Sequence, residues 1–431
     1  MKRSFVAVVR FTLAPLVIFL LHGKAVAQDA NHVHYSKSAE GFALPGPDGE
    51  LAPRLQNLGK HKFSVTAKSE QVQIFINQGL NLAYGFNHAE AGRAFREAAR
   101  LDPDCAMAYW GQALVLGPNI NAPMSPEDEP KAYELVQKAV SLKSRASERE
   151  RAYIDALAKR YSGSEKPDRK ALDRAFAAAM AEVHKKFPDD LDAATLYAEA
   201  LMDLRPWDYW ARDGQPYPGT QEAVSAIESV MQRNKNHPGA LHYYIHLMEN
   251  TKSPERAEEA ADRLLSLMPG AGHMVHMPSH IFMRVGRYND ASLSNQHAIL
   301  ADEEYITQCR AQGLYPLGYY PHNIHFLWFA STMEGRSGRA IEAARKTASK
   351  ISPEDVRKLP FLQAFVVVPY YALTRFGKWE EILKEPRPKH DSPFVSGMWH
   401  YARGTALAAT GRPTMPKRSS RPCARVRRIR P

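Results

Sequence analysis

From residue 67 to 411 apolar residues recur three and four positions apart, as in Ala171, Leu172, Ala175, Phe176, Ala179 and Met180. That spacing puts them on one face of an α-helix. No stretch alternates apolar and polar residues for long enough to predict a strand. Residues 129–143, 147–161 and 167–187 are rich in Ala, Leu, Glu, Lys and Arg and predict three helices. Turn-forming residues divide the pattern. Leu44-Pro45-Gly46-Pro47-Asp48-Gly49 marks residues 28–66 as a loop-rich lead-in. Gly117–Pro123 and Arg205–Gly219 predict loops, and the second carries Trp207, Tyr209, Trp210 and Tyr217. Rings in such a loop either fold onto their own array or anchor a ligand, and Trp207 and Trp210 are the candidates for the second role.

The helical pattern repeats. Residues 72–103 place Gly79, Ala91, Phe95, Ala98 and Pro103 where two helices must approach closely, be filled by one ring, and end. In type and spacing these residues resemble the tetratricopeptide repeat, a helix–turn–helix unit, although Gln78 stands where that family has leucine. The turn returns in Gly286-Arg287-Tyr288-Asn289-Asp290-Ala291, in Gly335–Ala340 and, more weakly, in Gly377-Lys378-Trp379. Ala257 and Pro269 frame another unit, and Ala257 to Ala291 is 34 residues. The resemblance implies an all-α fold over 67–411, an α-solenoid of helix–turn–helix repeats.

Charge is concentrated at the ends. The 431-residue chain carries a formal +11. Residues 1–27 and 412–431 hold 12 of the 57 basic residues and no acid, which leaves the body with 45 basic against 46 acidic side chains. A near-neutral body removes the main argument for nucleic-acid binding. Met1-Lys2-Arg3, the apolar run Ala14–Leu21 and Ala25-Val26-Ala27 have the layout of a cleaved secretory signal peptide. They predict a periplasmic or secreted protein with no membrane span after cleavage. The far end breaks the repeat: Pro416 falls where the next unit expects alanine, and a Pro/Arg/Ser tail follows. We read 412–431 as an aberrant basic tail, either a frame-shifted or otherwise foreign terminus or a basic arm for anionic surfaces. Cys105 and Cys309 are expected to be buried free thiols.

Histidine carries the most specific chemistry. Nine of the 17 lie between 237 and 325. Their register follows the repeat. His242 and His276 are 34 apart, as are His246 and His280, and each unit reads His-x-x-x-His. The next step is 49, because Asp302–Tyr320 holds an insertion; it relates His273 to His322 and His276 to His325. By the resemblance, the first helix of each unit lines a concave groove, so His242, His246, His276, His280 and His325 would project inward from neighbouring helices. Imidazoles four apart on a helix suit Zn(II), Cu(II) or a similar divalent transition metal. Glu249 would add an oxygen ligand or a general base, and His273 and His322 would line the groove. Pro278 interrupts the second pair and predicts a kink or a helix start there.

No nucleophile elbow, phosphate loop, dinucleotide fingerprint or zinc-protease motif points to a reaction. Two functions follow. One is an exported scaffold that takes a protein or peptide partner in its groove. The other is a metal-binding protein or metal-dependent enzyme built on the histidines.

Overall fold

The computed structural model describes residues 49–311 and 313–412; the leader and the tail beyond Arg412 lie outside the described residues. The described chain is all-α, with no strand among these residues. After an irregular segment to Ser69 come α1 (Glu70–Tyr84), α2 (His88–Leu101), α3 (Ala106–Leu116), α4 (Glu129–Ser141), α5 (Glu148–Leu157), α6 (Arg169–Lys186) and α7 (Leu191–Asp203). Then follow α8 (Thr220–Arg233), α9 (Pro238–Met248), α10 (Glu258–Leu264), α11 (Gly272–His276), α12 (Pro278–Val285), α13 (Tyr288–Cys309), α14 (Tyr320–Met333) and α15 (Ser337–Ser349). Short helices lead on to α16 (Pro393–Ala409). Sequential helices pack as neighbours, the arrangement of a helical-repeat solenoid. No helix among the described residues is long and apolar enough to cross a membrane.

The first repeat shows why the small residues are needed. The ring of Phe95 is buried between α1 and α3, and a Cβ added at Gly79 or Gly111 would stand 2.7 or 2.3 Å from it. Only hydrogen at both positions lets three helices close on one phenyl ring. Polar caps set the helix starts: Ser69, Asn87 and Asp190 each accept a backbone N–H of the first turn. Cys105 and Cys309 are separate, buried thiols.

The array curls until its first helix meets its ninth. Tyr84 lies on Gly239, where a Cβ would be 2.6 Å from the ring. Its hydroxyl donates to Asp192 Oδ1 at 2.6 Å. Nearby, Tyr305 at the far end of α13 reaches Asn87 Oδ1 at 3.3 Å. The lead-in joins this closure, with the Gly270 N–H donating to the Asn57 carbonyl at 2.9 Å. Tyr84, Phe86 and Tyr243 are buried at this closure.

Two features alter the regular repeat. Pro278 begins α12, so His276 ends α11 and His280 belongs to the next helix. Met277 between them keeps helical dihedrals, φ −51° and ψ −38°, so the two imidazoles remain neighbours across the break. The insertion at 302–320 extends α13 to 22 residues and adds a π-helical turn at Tyr315–Tyr319 before α14.

Candidate metal centre

Six imidazoles meet inside the curl. His242 and His246 come from α9, His273 and His276 from α11, His280 from α12 and His322 from α14. They form two triads. In each triad one ligand atom per residue lies within 4.8 Å of the others: His242, His246 and His273 in the first, His276, His280 and His322 in the second. Each takes a pair four residues apart and a third ring from a following helix. The repeat register relates the triads member by member. They adjoin, with ring centroids of His246 and His280 6.0 Å apart and those of His273 and His276 5.8 Å apart.

The hydrogen bonds fix the tautomers. His242 Nδ1 lies 2.6 Å from the Tyr84 carbonyl, which can only accept. His246 Nδ1 is 2.8 Å from Glu249 Oε1, and His280 Nδ1 is 2.7 Å from Glu249 Oε2. His276 Nδ1 is 2.7 Å from Asn295 Oδ1, whose amide is oriented by donation from Nδ2 to the Ala291 carbonyl at 2.7 Å. All four rings therefore donate from Nδ1, which leaves a lone pair on each Nε2 of the neutral imidazole. Those lone pairs point at each other. Nε2 of His242 and His246 are 3.0 Å apart, and Nε2 of His276 and His280 are 2.9 Å apart. Without something positive between them, such contacts are repulsive.

Burial favours the neutral form of five of the six rings. Burial pushes the pKa of His242, His273, His276 and His322 well below the ordinary value, and neighbouring imidazoles push the same way. His246 is also lowered, by burial, against the pull of Glu249. Glu249 goes the other way. Burial alone would raise its pKa, but the contacts with His280 and His246 outweigh that and hold the carboxyl ionised.

His273 adds an independent observation. It is 2% exposed, and neither ring nitrogen has a protein partner. An unpartnered polar atom at that depth costs about 1–3 kcal/mol. A metal ion bound with His242 and His246 would remove that cost. Neutral imidazoles whose other nitrogen is anchored to a carbonyl or carboxylate are what a metal site requires.

Aromatic rings wall off the centre. Phe86 lies 4.6 Å from His242 and 5.7 Å from His273, and the Trp207 ring meets His246 edge-on at 5.0 Å. Both have left-handed backbones, φ +55° and +65°, which bulky residues rarely adopt. Phe326 covers the second triad at 4.5–4.8 Å from its three rings. Tyr319 packs on His273 at 4.8 Å.

The remaining predicted residues lie elsewhere or play other parts. His325 stands against Trp328 and Phe365, outside both triads. Glu249 accepts an imidazole N–H on each oxygen, from His246 and from His280, and so clamps the two rings. Trp210 donates from Nε1 to the Leu247 carbonyl at 2.7 Å and braces the loop. His273 and His322, expected as groove residues, complete the triads. Sequence reasoning passed over Tyr84, Phe86 and Asn295. The first acts through its main-chain carbonyl, and all three meet the histidines only through tertiary contact. A third group, His61, Asp192 and His237, has a different explanation. His237 Nδ1 accepts the Ala240 N–H as a helix cap, so its Nε2 carries the hydrogen toward Asp192 Oδ1 at 3.2 Å. With its lone pair engaged, His237 is structural.

No family model matches the chain, and no curated protein does. Among solved structures, the chain is similar to the human IFIT1 dimer with m7Gppp-AAAA, at 13% identity and a TM-score of 0.41, over 80% of this chain and 75% of that one. The helical-repeat class thus rests on this chain's own helices.

Proposed function

We propose that this helical-repeat protein is a metalloprotein with a dinuclear centre of two three-histidine sites. The observation that carries the reading is the pair of Nε2–Nε2 contacts at 3.0 and 2.9 Å between rings whose Nδ1 atoms are all engaged. With metal–nitrogen bonds of about 2.0–2.1 Å, two ligands of one ion stand about 2.9 Å apart at a right angle and about 3.3 Å apart at a tetrahedral angle. Both contacts fit a shared ion. Each site offers three imidazole nitrogen donors, one fewer than the four ligands of a closed structural site. The export predicted by residues 1–27 is part of this proposal. Metal analysis of the full chain, purified without a histidine tag, tests it: two transition-metal ions per chain are expected, and a metal-free protein that refuses Zn(II), Cu(I) and Cu(II) would end it.

A second reading, a scaffold for a protein or peptide partner, is favoured by Leu293 and Leu300. These large apolar side chains are 44% and 63% exposed and two turns apart on α13. Cross-linking from α13 to a co-purifying protein, lost in a Leu293→Ser/Leu300→Ser variant, would support it.

A further inference from the structure

We infer that the paired triads hold two copper ions and bind one molecule of dioxygen between them. This deepens the metalloprotein reading and rests on it. Three observations select copper. First, all six donors are imidazoles, and the nearby carboxylate, Glu249, has both oxygens engaged by His246 and His280. Iron sites that activate oxygen use two histidines and a carboxylate ligand, and oxygen-seeking ions such as Mg(II), Ca(II) and Mn(II) find no donors here. Second, the 2.9–3.0 Å Nε2 contacts are closer to a right-angled pair than to a tetrahedral one, and Cu(II) takes such pairs readily. Third, charge favours a monovalent resting ion. Two Cu(I) bring two positive charges to a buried site that offers one compensating carboxylate, whereas two Zn(II) bring four, and uncompensated buried charge is strongly unfavourable.

The arrangement of the triads selects the ligand. The two triads adjoin, with rings about 6 Å apart, His246 beside His280 and His273 beside His276. Phe86, Trp207 and Tyr319 pack on rings of the first triad and Phe326 on those of the second. The first triad is fully buried, while His280 (side chain 9% exposed), His322 and Phe326 in the second keep some exposure, so entry is from that side. A diatomic molecule that accepts one electron from each metal suits such a site. The balance is complete without other reagents. Each Cu(I) gives one electron and becomes Cu(II). Dioxygen gains both and is reduced to the level of peroxide. Its O–O double bond becomes single, a bond forms from oxygen to each copper, and no proton is consumed. Release reverses every step.

The test loads the full, untagged chain with Cu(I) under anaerobic conditions, counts bound copper, and then admits dioxygen. The expected result is two coppers per chain, uptake of one dioxygen per pair, an intense near-ultraviolet charge-transfer band, and no copper EPR signal because the two Cu(II) spins cancel. His273→Ala, checked by circular dichroism for a native helical spectrum, should bind one copper and show neither uptake nor band. Two coppers with no uptake, or an EPR signal from isolated Cu(II), would overturn the inference and leave the metal reading standing. So would tight binding of Zn(II) with exclusion of copper. A wild-type chain that binds no metal removes both.

Discussion

His242 and His246 face each other Nε2 to Nε2 at 3.0 Å while their Nδ1 atoms are held by the Tyr84 carbonyl and by Glu249. The contact cannot be a hydrogen bond between neutral rings, since neither Nε2 has a hydrogen to give. The two rings are held in place by partners on their far sides, and those partners are where the arrangement can be tested.

Glu249→Gln should weaken both sites at once. A glutamine can accept from one imidazole but turns an N–H toward the other, which must then change tautomer or rotate away. Loss of such an anchoring partner typically lowers metal affinity 10–100-fold. Competition titration with a chromophoric chelator should show both sites shifted by that range, with the helical content of the apoprotein preserved.

Single-ligand variants should separate the triads. His273→Ala and His322→Ala are each expected to reduce bound metal from two ions to one, read by elemental analysis. His325→Ala should leave both, because its ring packs on Trp328 and Phe365. A loss of metal in the His325 variant equal to that in the others would contradict the assignment of the ligands.

Asp302 should make stability depend on pH. It is buried, and burial raises its pKa to about 7 although Tyr315 and Asn323 donate to it. The unfolded carboxyl titrates near 4. Between those values the folded state binds the extra proton, so stability is greatest near pH 4 for this group and declines as pH rises to about 7. Asp302→Asn should remove that slope. The new amide can donate to Asn323 Oδ1, which has no partner in the native protein, once the Asn323 side chain turns over. Thermal melts of both proteins across this range should converge at the acid end and diverge at the neutral end, with the variant higher.

Gly272 is the tightest backbone position near the centre. A Cβ there would lie 2.0 Å from Asp302 Oδ1 and 2.8 Å from the Ala298 carbonyl. Gly272→Ala should cost about 1–3 kcal/mol, the usual range for overpacking. It should also displace the start of α11 and with it His273 and His276, so a lower melting temperature should come with weaker metal binding. Gly111→Ala, whose Cβ would meet the Phe95 ring, should lower the melting temperature alone.

Much of this was legible in the residues themselves. Gly79, Ala91, Phe95 and Ala98 announce two closely packed helices, and the observed all-α repeat follows. The 34-residue step relates His242 to His276 and His246 to His280, and the 49-residue step relates His273 to His322. That is the symmetry by which one triad maps on the other. The register could not say which of His322 and His325 turns inward, because both lie three apart on α14 and share one side of it. Closure of the array was illegible for a different reason. It depends on the meeting of Tyr84 with Gly239 and of Asn57 with Gly270, contacts between segments some 150 to 210 residues apart that leave no periodic trace. The role of Glu249 followed from that same geometry, since its two partners sit on different helices.

The π-helical turn at Tyr315–Tyr319 has a mechanical consequence. A solenoid of stacked helix pairs normally behaves as a spring, each unit flexing against the next. Here the Tyr315 hydroxyl bonds both Asp302 and the main-chain nitrogen of His273, so the inserted turn bolts α13 to the beginning of α11. The segment from α11 to α14 is thereby tied into one block. Stretch or twist applied to the ends would be absorbed on either side of it, and the spacing of His273, His276, His280 and His322 would be the last dimension of the molecule to change.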